Sequence, residues 1–453
     1  MQAGFAKVDI TPRVGVELCG FGPYLNRHSI GVRDRLWARA MAMRMGETTL
    51  ILLSCDLIGV SAEITRQTRR FIQAEIDLPD TAIMVHCTHT HSGPSTGQII
   101  GWGDVDQPFV EILPRRLASA ALQAVARLAE TTLSHAMVPC EGIGLNREYD
   151  RDAPPLEDVL QPDWRPAKPE LTDTQCHVVT AESAGKLIGF FSYFGCHPVV
   201  CCQTTRYLHG DFVGVATNLL EREHPGAVGL FLQGAQGDVN SCVVHKPEPE
   251  ALLALDVIAA RYANNVRVGI RQATPLAIDQ LQAVSRQVAF SRVPLTVEDI
   301  RARLTEQEAL LTAPGARDDD QGLRMATVYA VTYRRVLELL TAGKSVEQPT
   351  ELQAFRIGPL ALLGTPFEIF QAIKNDILAE ARSPIPLLLG LTNDGLGYAP
   401  DHAAAARGGY AAQIVPLMLG TLPFRAIHDE LVAQVLETER ALLEFHQPNA
   451  LPG

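Results

Sequence analysis

The chain has 453 residues, 47% of them hydrophobic and 20% charged, with a formal charge of −12. That length can bury a large core, and the composition excludes a disordered chain. The acidic balance argues against nucleic acid or an anionic membrane surface as a partner. No apolar run reaches the length that spans a bilayer, so no membrane insertion is expected. The N-terminus carries no basic-then-apolar leader, and the expectation is a cytoplasmic protein. Nine cysteines at irregular spacing do not form a secreted disulfide framework.

In chain order, residues 1–272 alternate short apolar runs with helical stretches, the pattern of an α/β core. Strands are expected over 38–45, 49–54, 82–86, 187–194 and 228–232. Helices are expected over 63–76, 110–129, 214–223 and 248–270. Residues 151–170, rich in Pro and Asp, read as a surface excursion. The character changes over 273–350, where a strand-like 276–291 leads into helical segments 297–311 and 323–342. These residues read as a helical insertion or subdomain. Strand patterns resume over 351–355 and 360–363, followed by a short helix, 369–378, a glycine-rich stretch, 391–409, and a final helix, 425–445. The fold class this implies is α/β, with mixed twisted sheets flanked by helices and a functional site at strand ends.

Five pieces carry chemistry. Thr88-His89-Thr90-His91-Ser92-Gly93-Pro94 closes an apolar run. Two histidines at i, i+2 share one side of an extended segment and can face one metal ion, although they equally read as satisfied histidines at a strand end. His197 ends the run 187–194 and precedes a proline. In Gln233-Gly234-Ala235-Gln236-Gly237-Asp238-Val239-Asn240 the glycines permit a tight turn, and Asp238 is placed to orient an imidazole. Glu368, after Gly364-Thr365-Pro366-Phe367, reads as a carboxylate ligand or as a cap of helix 369–378. Tyr398 and Tyr410 sit in glycine-rich loops, where a phenol either lids the core, ligates a metal or stabilises an oxyanion. Cys201 and Cys202, adjacent in sequence, are poorly spaced to chelate one zinc and read as small buried residues.

Taken in order, these pieces resemble the neutral/alkaline ceramidase family, specifically its catalytic N-terminal domain. The resemblance begins at Val8-Asp9-Ile10-Thr11-Pro12 and runs through Gly20-Phe21-Gly22 and residues 31–40. It continues through Thr88–Pro94, Asn146-Arg147, His197, Gly237-Asp238, Pro366-Phe367-Glu368, Tyr398 and Tyr410. It implies one catalytic domain over 1–453, with 1–272 and 351–453 as its α/β core. It further implies a single zinc ion held by His89, His197, Glu368 and Tyr398, with His91 moving protons to and from an activated water. Arg147 and Tyr410 match residues that stabilise the tetrahedral intermediate, and Gly20 matches a glycine lining the substrate pocket. The implied reaction is hydrolysis of an N-acyl amide bond in a small-molecule substrate.

Two departures shape the expectation. Where the family carries a serine after Gly-Asp-Val, this chain has Asn240. Asparagine cannot accept an acyl group, but its amide can donate to an oxyanion or hold a substrate carbonyl. Ser241 would point to the opposite side of an extended segment. The chain also stops without the family's C-terminal immunoglobulin-like domain, and with no leader a substrate smaller or more polar than ceramide is expected. Three rivals remain at this point: an esterase or lactonase using the same zinc site, a non-catalytic ligand-binding homologue, and a thiol hydrolase using Cys196 or Cys201. The apolar surplus also points to a homo-oligomer.

Overall fold

The computed structural model describes residues 1–444. Its frame is three sheets, each with one face on a shared centre and the other under helices. The first sheet runs in the order Ile83–Cys87, Thr48–Cys55, Trp37–Met45, Gln2–Asp9, Ala129–Glu130. The second runs Val228–Gln233, Lys186–Phe194, Gln175–Ser183, Thr132–Pro139, Thr274–Pro275. The third runs Leu281–Val288, Thr350–Ile357, Leu360–Gly364, Ile385–Leu389. This is the expected mixed α/β class.

Side-chain alternation along each strand produces the layering. Met41, Leu50 and Leu52 of the first sheet meet Phe191, Tyr193 and Leu230 of the second and Phe355, Leu362 and Leu387 of the third in one buried cluster. The alternate residues face outward. Ala40 and Leu53 pack under the helix Gln107–Val125, which carries Leu113 and Leu117. Phe190 and Phe231 pack under those that carry Phe212 and Tyr262. Ala361 and Leu363 pack under those that carry Ile373 and Leu431. Where the first two sheets approach, Gly189 lies against the Phe5 ring so closely that a Cβ would overlap it.

Each sheet is largely antiparallel but has one parallel pair. These are Thr48–Cys55 with Ile83–Cys87, Lys186–Phe194 with Val228–Gln233, and Leu360–Gly364 with Ile385–Leu389. The carboxyl ends of these strands feed the loops that hold the candidate site, as ligand sites in α/β sheets commonly require.

Several boundaries differ from the sequence expectation. The helix expected over 110–129 is Gln107–Val125, because Ala129–Glu130 pairs with the N-terminal strand. Strand 276–291 shortens to Leu281–Val288, an edge of the third sheet, and is followed by a hairpin of helices Val297–Leu311 and Gln321–Thr341. The helix expected from 369 begins at Gln371, since Glu368–Ile369 pairs in parallel with Tyr398–Ala399. The final helix is Ile427–Glu444, and residue 445 lies outside the described residues. Among the described residues no helix is long and apolar enough to cross a membrane.

Candidate active site

The two motif histidines do not sit on an extended strand. The strand ends at Cys87, and His89 adopts a left-handed backbone, φ 72°. The i, i+2 argument therefore gives the right meeting for the wrong reason. The turn brings the rings together, with His89 Nε2 3.1 Å from His91 Nε2.

Each imidazole of the cluster is tethered through Nδ1 to a backbone carbonyl. His89 reaches Ile58 O at 2.6 Å, His91 reaches Gly20 O at 3.1 Å, and His197 reaches Gln236 O at 2.5 Å. A carbonyl only accepts, so each Nδ1 carries the proton and each Nε2 presents a lone pair. Glu368 Oε2 completes the set, 3.2 Å from His89 Nε2 and 3.0 Å from His197 Nε2. His197 Nε2 and Glu368 Oε2 are buried without a well-aligned hydrogen-bond partner.

The local electrostatics follow from this crowding. Burial, then the neighbouring His89 and His197, push the His91 imidazolium well below its ordinary range. Burial holds His197 down to about 4. Burial alone would raise Glu368, but His89 and His197 outweigh it and keep the carboxyl ionised. The imidazole Nε2 atoms and a carboxylate thus converge on one point, where either a shared proton or a cation must hold them together, a donor set that suits a cation. Zinc ligands about 2.0–2.1 Å from a tetrahedral centre lie roughly 3.3 Å apart, close to the separations found here. The residues fit a zinc ion.

Around the cluster, Arg147 lies 4.9 Å over the Tyr398 ring, and Tyr398 and Tyr410 are 6.0 Å apart. Burial raises the Tyr398 phenol, and desolvation by the groups packed around it raises Tyr410 to about 12 although about half of the residue is exposed, so both keep their protons at neutral pH. Desolvation works against the Arg147 charge, but Tyr398, Tyr410 and the Glu368 carboxylate together outweigh it and its pKa is raised. Gly20, φ 113°, lies where a Cβ would collide with the His91 ring. Asn240 is partly exposed at the centre of the strand Val239–Ser241, while Ser241 is buried with its hydroxyl on Val243 O at 2.6 Å.

Asp238 does not orient an imidazole. Its carboxylate accepts from Asn146 Nδ2 at 2.7 Å and from Gln371 N at 2.8 Å, pinning the loop instead. The tether of His197 is the carbonyl of Gln236. Glu368 is not a helix cap, because it precedes the helix by a short strand. Sequence reasoning missed Gln233, whose side-chain amide donates to Thr88 O and Cys196 O and so ties the two histidine loops together. A buried glutamine ending an apolar strand was the available signal. It also missed Arg27, which donates to the His91 carbonyl at 2.8 Å and under which Phe21 packs.

With this geometry in hand, the family model described as neutral/alkaline non-lysosomal ceramidase, N-terminal, matches residues 1–246. The chain belongs to that family. As a ceramidase-like protein it is a hydrolase acting on an amide bond. The neutral ceramidase of Pseudomonas aeruginosa is 23% identical over 466 aligned residues, covering 90% of this chain and 67% of that one. The crystal structure of neutral ceramidase from Pseudomonas aeruginosa superposes with a TM-score of 0.71 at 19% identity, over 100% of this chain and 76% of that one. A ceramidase complexed with C2 gives a TM-score of 0.74 at 19% identity, over 100% and 77%. Both structures share the fold.

Proposed function

We propose that this ceramidase-family chain is a zinc-dependent hydrolase of N-acyl amides, acting on a substrate smaller or more polar than ceramide. The observation that carries the reading is the convergence of tethered Nε2 atoms and the Glu368 carboxylate, each within 3.0–3.2 Å of at least one other. In this reading His89, His197, Glu368 and Tyr398 hold the ion, and residues 1–453 form one catalytic unit with 273–350 as an elaboration of it. Zinc, when bound, supplies Lewis acidity that brings a water's pKa to about 7 and polarises a carbonyl.

The chain's own residues do the rest. His91, with Nδ1 fixed on Gly20 O, has Nε2 free to take a proton from the attacking water and return it to the leaving amine. The Arg147 guanidinium and the protonated Tyr410 phenol donate to the developing oxyanion. Asn240 cannot form an acyl ester, so its amide holds the substrate's carbonyl or polar end. Gly20 lines the pocket because only a residue without a Cβ lets the backbone meet the His91 ring.

The test is elemental analysis of wild type and His89→Ala, with turnover of matched amides and esters. About one zinc per wild-type chain, lost together with activity in the variant, supports the reading. Full activity in His89→Ala would overturn it.

A further inference from the structure

Behind the turn that carries Tyr410 lies a cavity of about 520 Å³, a size ordinary for a small-molecule site. It is bounded by the helix hairpin of residues 297–341, the π-turn Tyr410–Ile414 and the start of the helix Ile427–Glu444. Most of its lining residues are apolar, Tyr333 and Phe424 among them, and polar atoms make up close to half of the lining surface. The charged side chains lining it are Arg303 and Arg425, accompanied by His402 and His428, and no Asp or Glu lines it.

Both arginines are exposed, and Arg303 acts electrostatically on Asp299. Among the described residues neither has a carboxylate partner in an ion pair, and Asp299, one helical turn before Arg303, is engaged with Thr296 in a capping box. The histidines stack on each other at 4.0 Å and are paired outward, His402 with Asp429 and His428 with Asp376. In a chain of charge −12 this cavity carries positive charge, from two exposed arginines that no ion pair among the described residues neutralises. The larger cavity beside Met45, about 820 Å³, has Glu47 and Asp279 in its walls and carries no such excess.

We propose that this cavity is a second ligand site, for an amphiphile bearing a single carboxylate. Arginine recognises a carboxylate through two parallel hydrogen bonds, and the apolar walls accept the chain. The acid released by cleaving an N-acyl amide belongs to this class. That clause rests on the proposed function, while the cavity's charge and shape stand without it. Ala412 and Gln413 line the cavity from the same π-turn that presents Tyr410 to the active site. An occupant therefore touches the segment that positions that phenol.

The experiment is calorimetric titration of the metal-loaded protein with decanoate and with decanol. The expected result is decanoate binding about ten-fold tighter than decanol. Replacing both arginines (Arg303→Ala with Arg425→Ala) should erase that preference, and Ala412→Trp should block both probes. His89→Ala should still bind decanoate, which separates this site from the histidine cluster and from the fate of the catalytic reading. Should Ala412→Trp fail to fold, Arg425→Glu at an exposed position should repel decanoate and spare decanol. Equal binding of the two probes, binding of neither, or decanoate binding lost in His89→Ala but indifferent to the arginines would each overturn the proposal.

Discussion

Among the described residues two clusters offer three potential metal donors within 4.8 Å: His89, His91 and His197, and Cys201, His209 and Asp211. By residue type the second is the more attractive, with a thiol, an imidazole and a carboxylate, all buried. Its lone pairs are nevertheless engaged: His209 Nε2 is buried without a partner, but in the neutral ring it carries the proton and has no lone pair to offer. Asp211 accepts from the backbone N–H groups of Val200, Cys201 and Phe212, and His209 Nδ1 accepts from Asp211 N. Burial pushes the Cys201 thiol far up, so it keeps its proton. In the first cluster the tethers consume Nδ1 and leave every Nε2 lone pair free. What distinguishes a metal site from a structural knot is which lone pairs remain unpaired.

The comparison is tested most severely at His91. Its geometry alone makes it a third imidazole donor, while the proposed chemistry makes it the proton carrier. His91→Ala should retain zinc by elemental analysis yet lose about 10²–10⁴-fold in turnover, the usual contribution of a positioned acid–base group. Loss of zinc in that variant would move His91 into the ligand set and leave the proton transfer without its residue.

Much of this was legible in the sequence. The histidine motif, His197 and Glu368 follow apolar strands, and all three lie where the fold converges. The strands at 38–45, 49–54, 82–86, 187–194 and 228–232 were visible in their apolar runs, since a strand buried on both faces reads as a continuous hydrophobic stretch, whereas Gln2–Asp9, Thr132–Pro139 and Gln175–Ser183 were not read. What could not be read was the partner of each Nδ1. Ile58, Gln236 and Gly20 contribute carbonyls, which every residue possesses, and nothing in the sequence marks one as special. The left-handed His89 was equally hidden, because no glycine announces that turn. The arrangement of three sheets around one cluster depends on packing between residues such as Phe5 and Gly189, far apart in the chain, and no local pattern encodes it.

A smaller effect is expected in the second cluster. Asp211→Asn replaces an acceptor-only carboxylate by a group with two donors, one of which must face a backbone N–H. The cost should be about 1–3 kcal/mol in urea unfolding, with zinc content and turnover unchanged. The pH dependence has a definite sign. Burial raises the Asp211 carboxyl from 3.8 to about 6, so the folded state binds its proton more tightly than the unfolded state does. That contribution is complete below about pH 4 and is lost as the pH rises through about 6. The wild type's advantage over Asp211→Asn should therefore shrink across that window. A drop in metal content in Asp211→Asn would show that the cluster does bind an ion, and would break the comparison.

The smallest expected effects set free against spent within a single strand. Asn240 and Ser241 are adjacent, but the Asn240 amide has no hydrogen bond among the described residues, whereas the Ser241 hydroxyl donates to Val243 O. If unpaired groups are the working ones, Asn240→Ala should lower kcat/KM about ten-fold, the worth of roughly one hydrogen bond to substrate, and leave stability alone. Ser241→Ala should do the reverse, costing about 1 kcal/mol of stability with turnover unchanged. Asn240→Ser places a hydroxyl where the family carries one, yet the rest of the pocket remains as it is. Activity on ceramide should not appear from that change alone. A large gain would mean that residue 240, and not the surrounding pocket, sets the substrate.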